Sequence, residues 1–232
     1  MSFEKTYWEI GGIVINEPIT AITDLLVAGV CFYAFFKRTG HVRYEWTHVF
    51  FRYYFLFLGL STLYGGLVGH AFIQYFGFEW KLPGWIMSMI GVALIERATI
   101  MHAKEYMPYK VGRFFSVLNV IELFTLLFCV VYFMNFSLVE AHAAYGLLIV
   151  VVAFELVVFI KSGQKSSKRI LIAVGIGAVA AIVHIGQIII HKWFNHLDLS
   201  HVLMAISAYV FYMGAKLIPY EANLEKKEIR DN

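Results

Sequence analysis

The chain has 232 residues, 60% of them apolar and 15% charged, with a formal net charge of +3 at neutral pH. This is far more apolar than a water-soluble domain of that length, which excludes water as the main solvent. No run of basic residues is interleaved with exposed aromatics, so nucleic acid is not an expected partner.

The N-terminal stretch carries Glu4, Lys5, Glu9 and Glu17 and lacks the basic start and apolar core of a cleavable signal, so the first span is expected to anchor itself. Apolar stretches bounded by charges or turn residues then predict seven spans, at 18–36, 49–72, 82–101, 114–134, 138–160, 170–191 and 199–218. Each approaches the roughly 20 residues that cross a hydrocarbon core of about 30 Å. Only a helix satisfies its own backbone hydrogen bonds at that depth, where an unpaired peptide group costs several kcal/mol. The fold class is therefore all-α, a polytopic seven-transmembrane-helix bundle occupying residues 1–232 as one domain. Cys31 and Cys129 fall inside apolar runs and read as small buried hydrophobes.

Lys and Arg in the connections set the orientation. One side collects Lys37, Arg38, Arg43, Lys104, Lys110, Arg113, Lys161, Lys165, Lys168 and Arg169, with Lys216, Lys226, Lys227 and Arg230 in the C-terminal segment, while the other has Lys5, Lys81 and Lys192. The positive-inside rule places the N-terminus outside and the C-terminus in the cytoplasm. The compact loops suggest a bacterial inner (plasma) membrane. Trp8, Trp46, Trp80, Trp85 and Trp193 sit near predicted span ends, as an interfacial belt requires.

With this orientation His70, His142, His184, His191, His196 and His201 share the outer half, and His41, His48 and His102 the inner side. Intramembrane ionisable groups are costly and usually face the bundle interior, so histidines from several helices point to a metal site. His201 and Asp198 are three positions apart on neighbouring helical surfaces, whereas His196 lies about 140° from His201 on a regular helix. His196 joins them only if the helix starts after it. In that case Asp198 can serve as N-cap, ligand or a partner orienting a histidine. His184, Gln187 and His191 follow i, i+3, i+7 and share a stripe on the predicted sixth span. Gly65 and Gly69, four apart, suit close approach of another helix to the second. Glu96, Glu122 and Glu155 fall in the inner halves of the third to fifth spans, where an ion-pair network with Arg97 and Arg52 is expected and a proton or cation path is the functional alternative.

Four segments carry a family resemblance. Glu17-Pro18-Ile19-Thr20-Ala21-Ile22-Thr23-Asp24 opens the first span, Gly65-Gly66-Leu67-Val68-Gly69-His70 ends the second, Leu82-Pro83 opens the third, and His201-Val202-Leu203-Met204 with Tyr209 marks the last. Together they resemble the seven-span superfamily of alkaline ceramidases and progestin-and-adiponectin-type receptors. Two departures stand out. Gly66 occupies the place of the family's serine, and Trp80 or Lys81 that of its aspartate. The first histidine of the family's last motif falls on Leu197, between His196 and Asp198.

The resemblance implies a zinc-dependent integral-membrane hydrolase acting on an amide or ester bond of a lipid-like substrate. His70, His201 and His196 would be zinc ligands, His191 a reserve ligand, and Asp198 the general base or an orienting partner. Glu17 and Asp24 lie where ceramidases hold a structural calcium. Rival expectations are a non-enzymatic lipid sensor that keeps the metal for structure, and a haem-bearing electron carrier.

Overall fold

The computed structural model describes residues 6–37 and 46–218. His41, Arg38, Arg43 and the C-terminal Lys226, Lys227 and Arg230 lie outside the described residues. Seven helices are long and apolar enough to cross a membrane: α1 (Pro18–Phe36), α2 (Trp46–Ala71), α3 (Phe78–Tyr106), α4 (Tyr109–Phe133), α5 (Phe136–Ser162), α6 (Lys165–Ile185) and α7 (His196–Ala215). The expected polytopic all-α bundle is what forms. Two helices contain a π turn, Gly65–Ala71 in α2 and Tyr145–Val151 in α5.

A β-hairpin precedes the bundle, which the reading by apolar runs did not anticipate. Strands β1 (Tyr7–Ile10) and β2 (Ile13–Asn16) pair antiparallel with Ile10 opposite Ile13. Gly11 and Gly12 form the two-residue turn at φ 59° and 80°, a conformation open to glycine without steric cost. The hairpin docks on the residues following α2. Val14 accepts a hydrogen bond from Gln74 through its carbonyl and donates one through its amide to the Tyr75 hydroxyl at 3.3 Å, and Asn16 also bonds Gln74. Glu17 then turns the chain into α1 at φ 42°, and Pro18 starts the helix with the φ a first turn needs.

The principal core joins α1, α2, α3, α6 and α7 through buried Val27, Cys31, Phe51, Phe55, Ile95 and Phe211, among others. Helix α6 lies close on α7, where a Cβ at Gly214 would stand 2.8 Å from Ile170 Cγ1. Helix α4 is peripheral, with only Asn119 and Val130 fully buried.

Two helix ends differ from expectation. Helix α6 stops at Ile185, with Gly186 at its end and Gln187 left-handed at φ 49°, so the predicted stripe His184, Gln187, His191 is broken and His191 lies in a loop. Helix α7 begins at His196 because Asn195 caps it: the Asn195 side chain accepts from the Leu197 amide at 2.7 Å, and Asp198 Oδ2 accepts from the Asn195 amide at 2.7 Å. This reciprocal capping satisfies two amides that a helix start otherwise leaves unpaired.

Candidate functional site

At the hairpin end of the bundle α1, α2 and α7 meet around Asp24. A Cβ on Gly66 would stand 2.9 Å from Asp24 Cβ and 3.1 Å from the Ala21 carbonyl oxygen, so only glycine lets α2 come this near α1. The expected pair Gly65 and Gly69 is not what makes the contact. Nothing lies within 4 Å of a Cβ at Gly69, and at Gly65 the nearest atom is Asp24 Oδ2 at 3.8 Å. The π turn that follows Tyr64 re-registers the end of α2, and His70 sits within it facing α1.

Each of two imidazoles is held from behind. His70 Nδ1 lies 3.0 Å from Glu17 Oε2, and His201 Nδ1 lies 3.2 Å from Thr23 Oγ1. The Thr23 hydroxyl donates to the Thr20 carbonyl at 3.0 Å, so its oxygen is left to accept from His201 Nδ1–H. Each ring thus donates from Nδ1, and in its neutral form turns a lone pair on Nε2 inward. Those nitrogens face the carboxylate of Asp24, His70 Nε2 at 3.9 Å from Oδ2 and His201 Nε2 at 3.5 Å from Oδ1. The ring centroids are 6.3 Å apart at 71°. Asp24 is 4% exposed, while the His70 and His201 side chains keep 19% and 12% of their surface.

Asp198 supports this arrangement. It is fully buried, and its second oxygen, Oδ1, accepts from Thr20 Oγ1 at 2.7 Å. Both oxygens are thus engaged, one capping α7 and one tying α7 to α1, which suits a positioning role better than that of a general base.

Of the expected ligands, His70 and His201 come together and two others stand elsewhere. Because the capping places His196 in the first turn of α7, five residues before His201, it lies against His184, ring centroids 5.8 Å apart. His184 pairs in turn with Glu140 at 3.3 Å. His191 is exposed, its Nδ1 accepting from the Trp193 amide at 3.2 Å. The third group of the site is Asp24. Its signal in the sequence was the spacing of Thr20, Thr23 and Asp24, which puts three polar side chains on one face at the start of an apolar helix.

Imidazole nitrogen and carboxylate oxygen are donor types that zinc takes. Ligands bonded at about 2.0–2.2 Å in a tetrahedron stand about 3.3 Å from one another. His201 and His70 approach different oxygens of Asp24, at 3.5 Å and 3.9 Å, and the three groups do not bring one ligand atom each within 4.8 Å of one another, so they must draw together to hold an ion. Glu17 and Asp24, expected beside a calcium, both face His70, Glu17 at 3.0 Å from Nδ1 and Asp24 at 3.9 Å from Nε2. A haem held by both histidines would have to occupy the space where Asp24 stands.

A second cluster lies deeper. Glu96 on α3, Glu122 on α4 and His142 on α5 each offer one ligand atom, all within 4.8 Å of one another. His142, expected with the outer histidines, shares none of the partners of His70 or His201. The arginines expected beside these glutamates bond elsewhere: Arg97 donates to the Ser116 carbonyl at 2.6 Å and Arg52 to that of Phe35 at 3.3 Å. Glu155 pairs with His102 at 3.0 Å. Glu122 and Glu155 thus have histidine as their ion-pair partner, while Arg97 acts on Glu96 through its charge without a salt bridge.

A family model described as a family of unknown function, DUF6962, matches residues 19–219. No curated protein matches the chain. No solved structure matches it.

Proposed function

The chain belongs to this family of unknown function, and we propose, from the site, that it is an integral-membrane, zinc-dependent hydrolase of an amide or ester bond in a lipid-like substrate. One observation carries the reading: two imidazoles, each held through Nδ1, turn Nε2 toward one buried carboxylate. Lone pairs opposed to a carboxylate repel unless a cation lies among them. His70, His201 and Asp24 would hold the ion and leave a fourth position open, the arrangement of catalytic zinc sites. When bound, zinc supplies Lewis acidity and brings the pKa of water down to about 7.

The protein's own groups then have distinct tasks. Glu17 fixes the His70 ring and raises its basicity, and Thr23 does the orienting for His201. Asp198 holds α7 against α1 through Thr20. A shallow, open apolar surface lined by Leu25, Leu26, Gly29, Val30, Tyr33 and Tyr209 lies between α1 and α7 and is suited to an acyl chain. The charge bias of the loops supports an outward N-terminus, with the site opening to the outer leaflet of a bacterial plasma membrane. The resemblance to the ceramidase and receptor superfamily supports the same reading through His70 and His201.

A second reading, a lipid sensor with a structural metal, is favoured by Gly66, where Asp24 fills the place of the family's serine side chain. Elemental analysis of purified wild type, His70→Ala, His201→Ala and Asp24→Asn, with hydrolysis of a panel of lipid amides and esters, tests both. Loss of one zinc per chain in each variant, together with turnover, is the expected result. Metal-dependent melting without turnover would establish the sensor, and no stoichiometric metal in wild type would remove both.

A further inference from the structure

We propose that Glu96, Glu122 and His142 bind a second divalent transition-metal ion inside the bundle, independent of the His70–His201 site. His142 is fully buried. Its Nε2 lies 3.1 Å from the Met89 carbonyl oxygen, which can only accept, so Nε2 carries a proton and Nδ1 is turned toward Glu122 Oε1 at 2.8 Å. A metal-binding histidine is held in this way, its far N–H on a carbonyl and its other nitrogen facing the ion.

The carboxylates are unfinished. Glu96 is 1% exposed. Its Oε2 accepts from Asn119 Nδ2 at 3.1 Å, yet its Oε1 is buried with no hydrogen-bond partner. Glu122 Oε2 is buried without one as well. Two orphan carboxylate oxygens in one cluster are costly in a low-dielectric interior unless something positive meets them. Among the described residues the ion-pair partner of Glu122 is His142, and neither glutamate has a lysine or arginine in a salt bridge.

Gly146 makes the space. It lies one turn beyond His142 on α5, and a Cβ there would stand 2.5 Å from Glu96 Oε1 and 2.5 Å from Val92 Cγ1. The bare backbone thus admits the unpaired oxygen of Glu96 to the face of α5 that carries His142, at the start of the Tyr145–Val151 π turn. Two carboxylates neutralise a divalent ion, so the filled site adds no net charge to the membrane interior. One imidazole with two carboxylates suits zinc or manganese. Asn119, one of the two fully buried residues of α4, belongs to the same cluster, so the ion would fasten this peripheral helix to α3 and α5.

The test uses the full chain carrying His70→Ala and His201→Ala, purified in detergent, stripped with chelator and reloaded with zinc or manganese. About one ion per chain and a melting temperature raised by about 5 °C or more are expected. Glu96→Gln and Glu122→Gln in that background should each weaken binding at least ~10-fold. Should those variants not fold, X-ray absorption of the zinc-loaded background protein reports the ligands directly, and an oxygen-rich shell with one imidazole is expected. No bound ion with either metal, binding undiminished by both substitutions, or a shell with two or more imidazoles would overturn the proposal. Wild type that binds one ion, retained in the background protein, would leave this site standing and remove the outer one.

Discussion

Gly66 lies directly against Asp24, with room for a hydrogen but not for a methyl: a Cβ would come within 2.9 Å of Asp24 Cβ. That contact sets how near α2 approaches α1, and hence whether His70 and His201 can face the same carboxylate. Gly66→Ala should therefore separate the helices, cost about 1–3 kcal/mol of stability and abolish retention of the ion at the His70–His201 site. Gly69→Ala, with nothing within 4 Å of the added carbon, should do neither. Thermal unfolding and elemental analysis of the two variants side by side check this.

Glu17 holds the far nitrogen of His70 from a left-handed backbone position between hairpin and helix. Removing its charge in Glu17→Gln should leave the fold intact and lower zinc affinity about 10–100-fold. Competition with a chelator of known strength measures it, and unchanged affinity would show that Glu17 does not orient a ligand.

Asp198 distinguishes a clamp from a base. Asn in its place keeps one acceptor oxygen where two are in use, so Asp198→Asn should destabilise the protein by about 1–3 kcal/mol. Metal content should persist once the variant is folded. Turnover abolished at unaltered melting temperature would instead make Asp198 the general base.

His196→Ala and His191→Ala should each retain stoichiometric zinc, since one ring lies against His184 and the other is exposed in the α6–α7 loop. Loss of metal in either variant would restore it as a ligand.

The helix ends explain where the sequence reading was sound and where it slipped. The hairpin could have been read from Gly11-Gly12 between two β-branched and aromatic runs, but four-residue strands are invisible to a search for spans. His191 was placed on a helix because the apolar pattern continues past Gly186, and only the backbone turn at Gln187 shows that the helix does not. His142 was grouped with the outer histidines, and the fold gives it separate partners, Glu122 and Met89, from two other helices.

Span number and the residues able to bind a metal were determined by the sequence itself, because hydrocarbon thickness and side-chain chemistry act on a run of residues without reference to its neighbours. Which imidazole faces which carboxylate was decided only in the folded bundle. It depends on a π turn, a capped helix start and the near contact of two backbones at one glycine, each of which rotates a side chain by an amount that linear spacing does not contain.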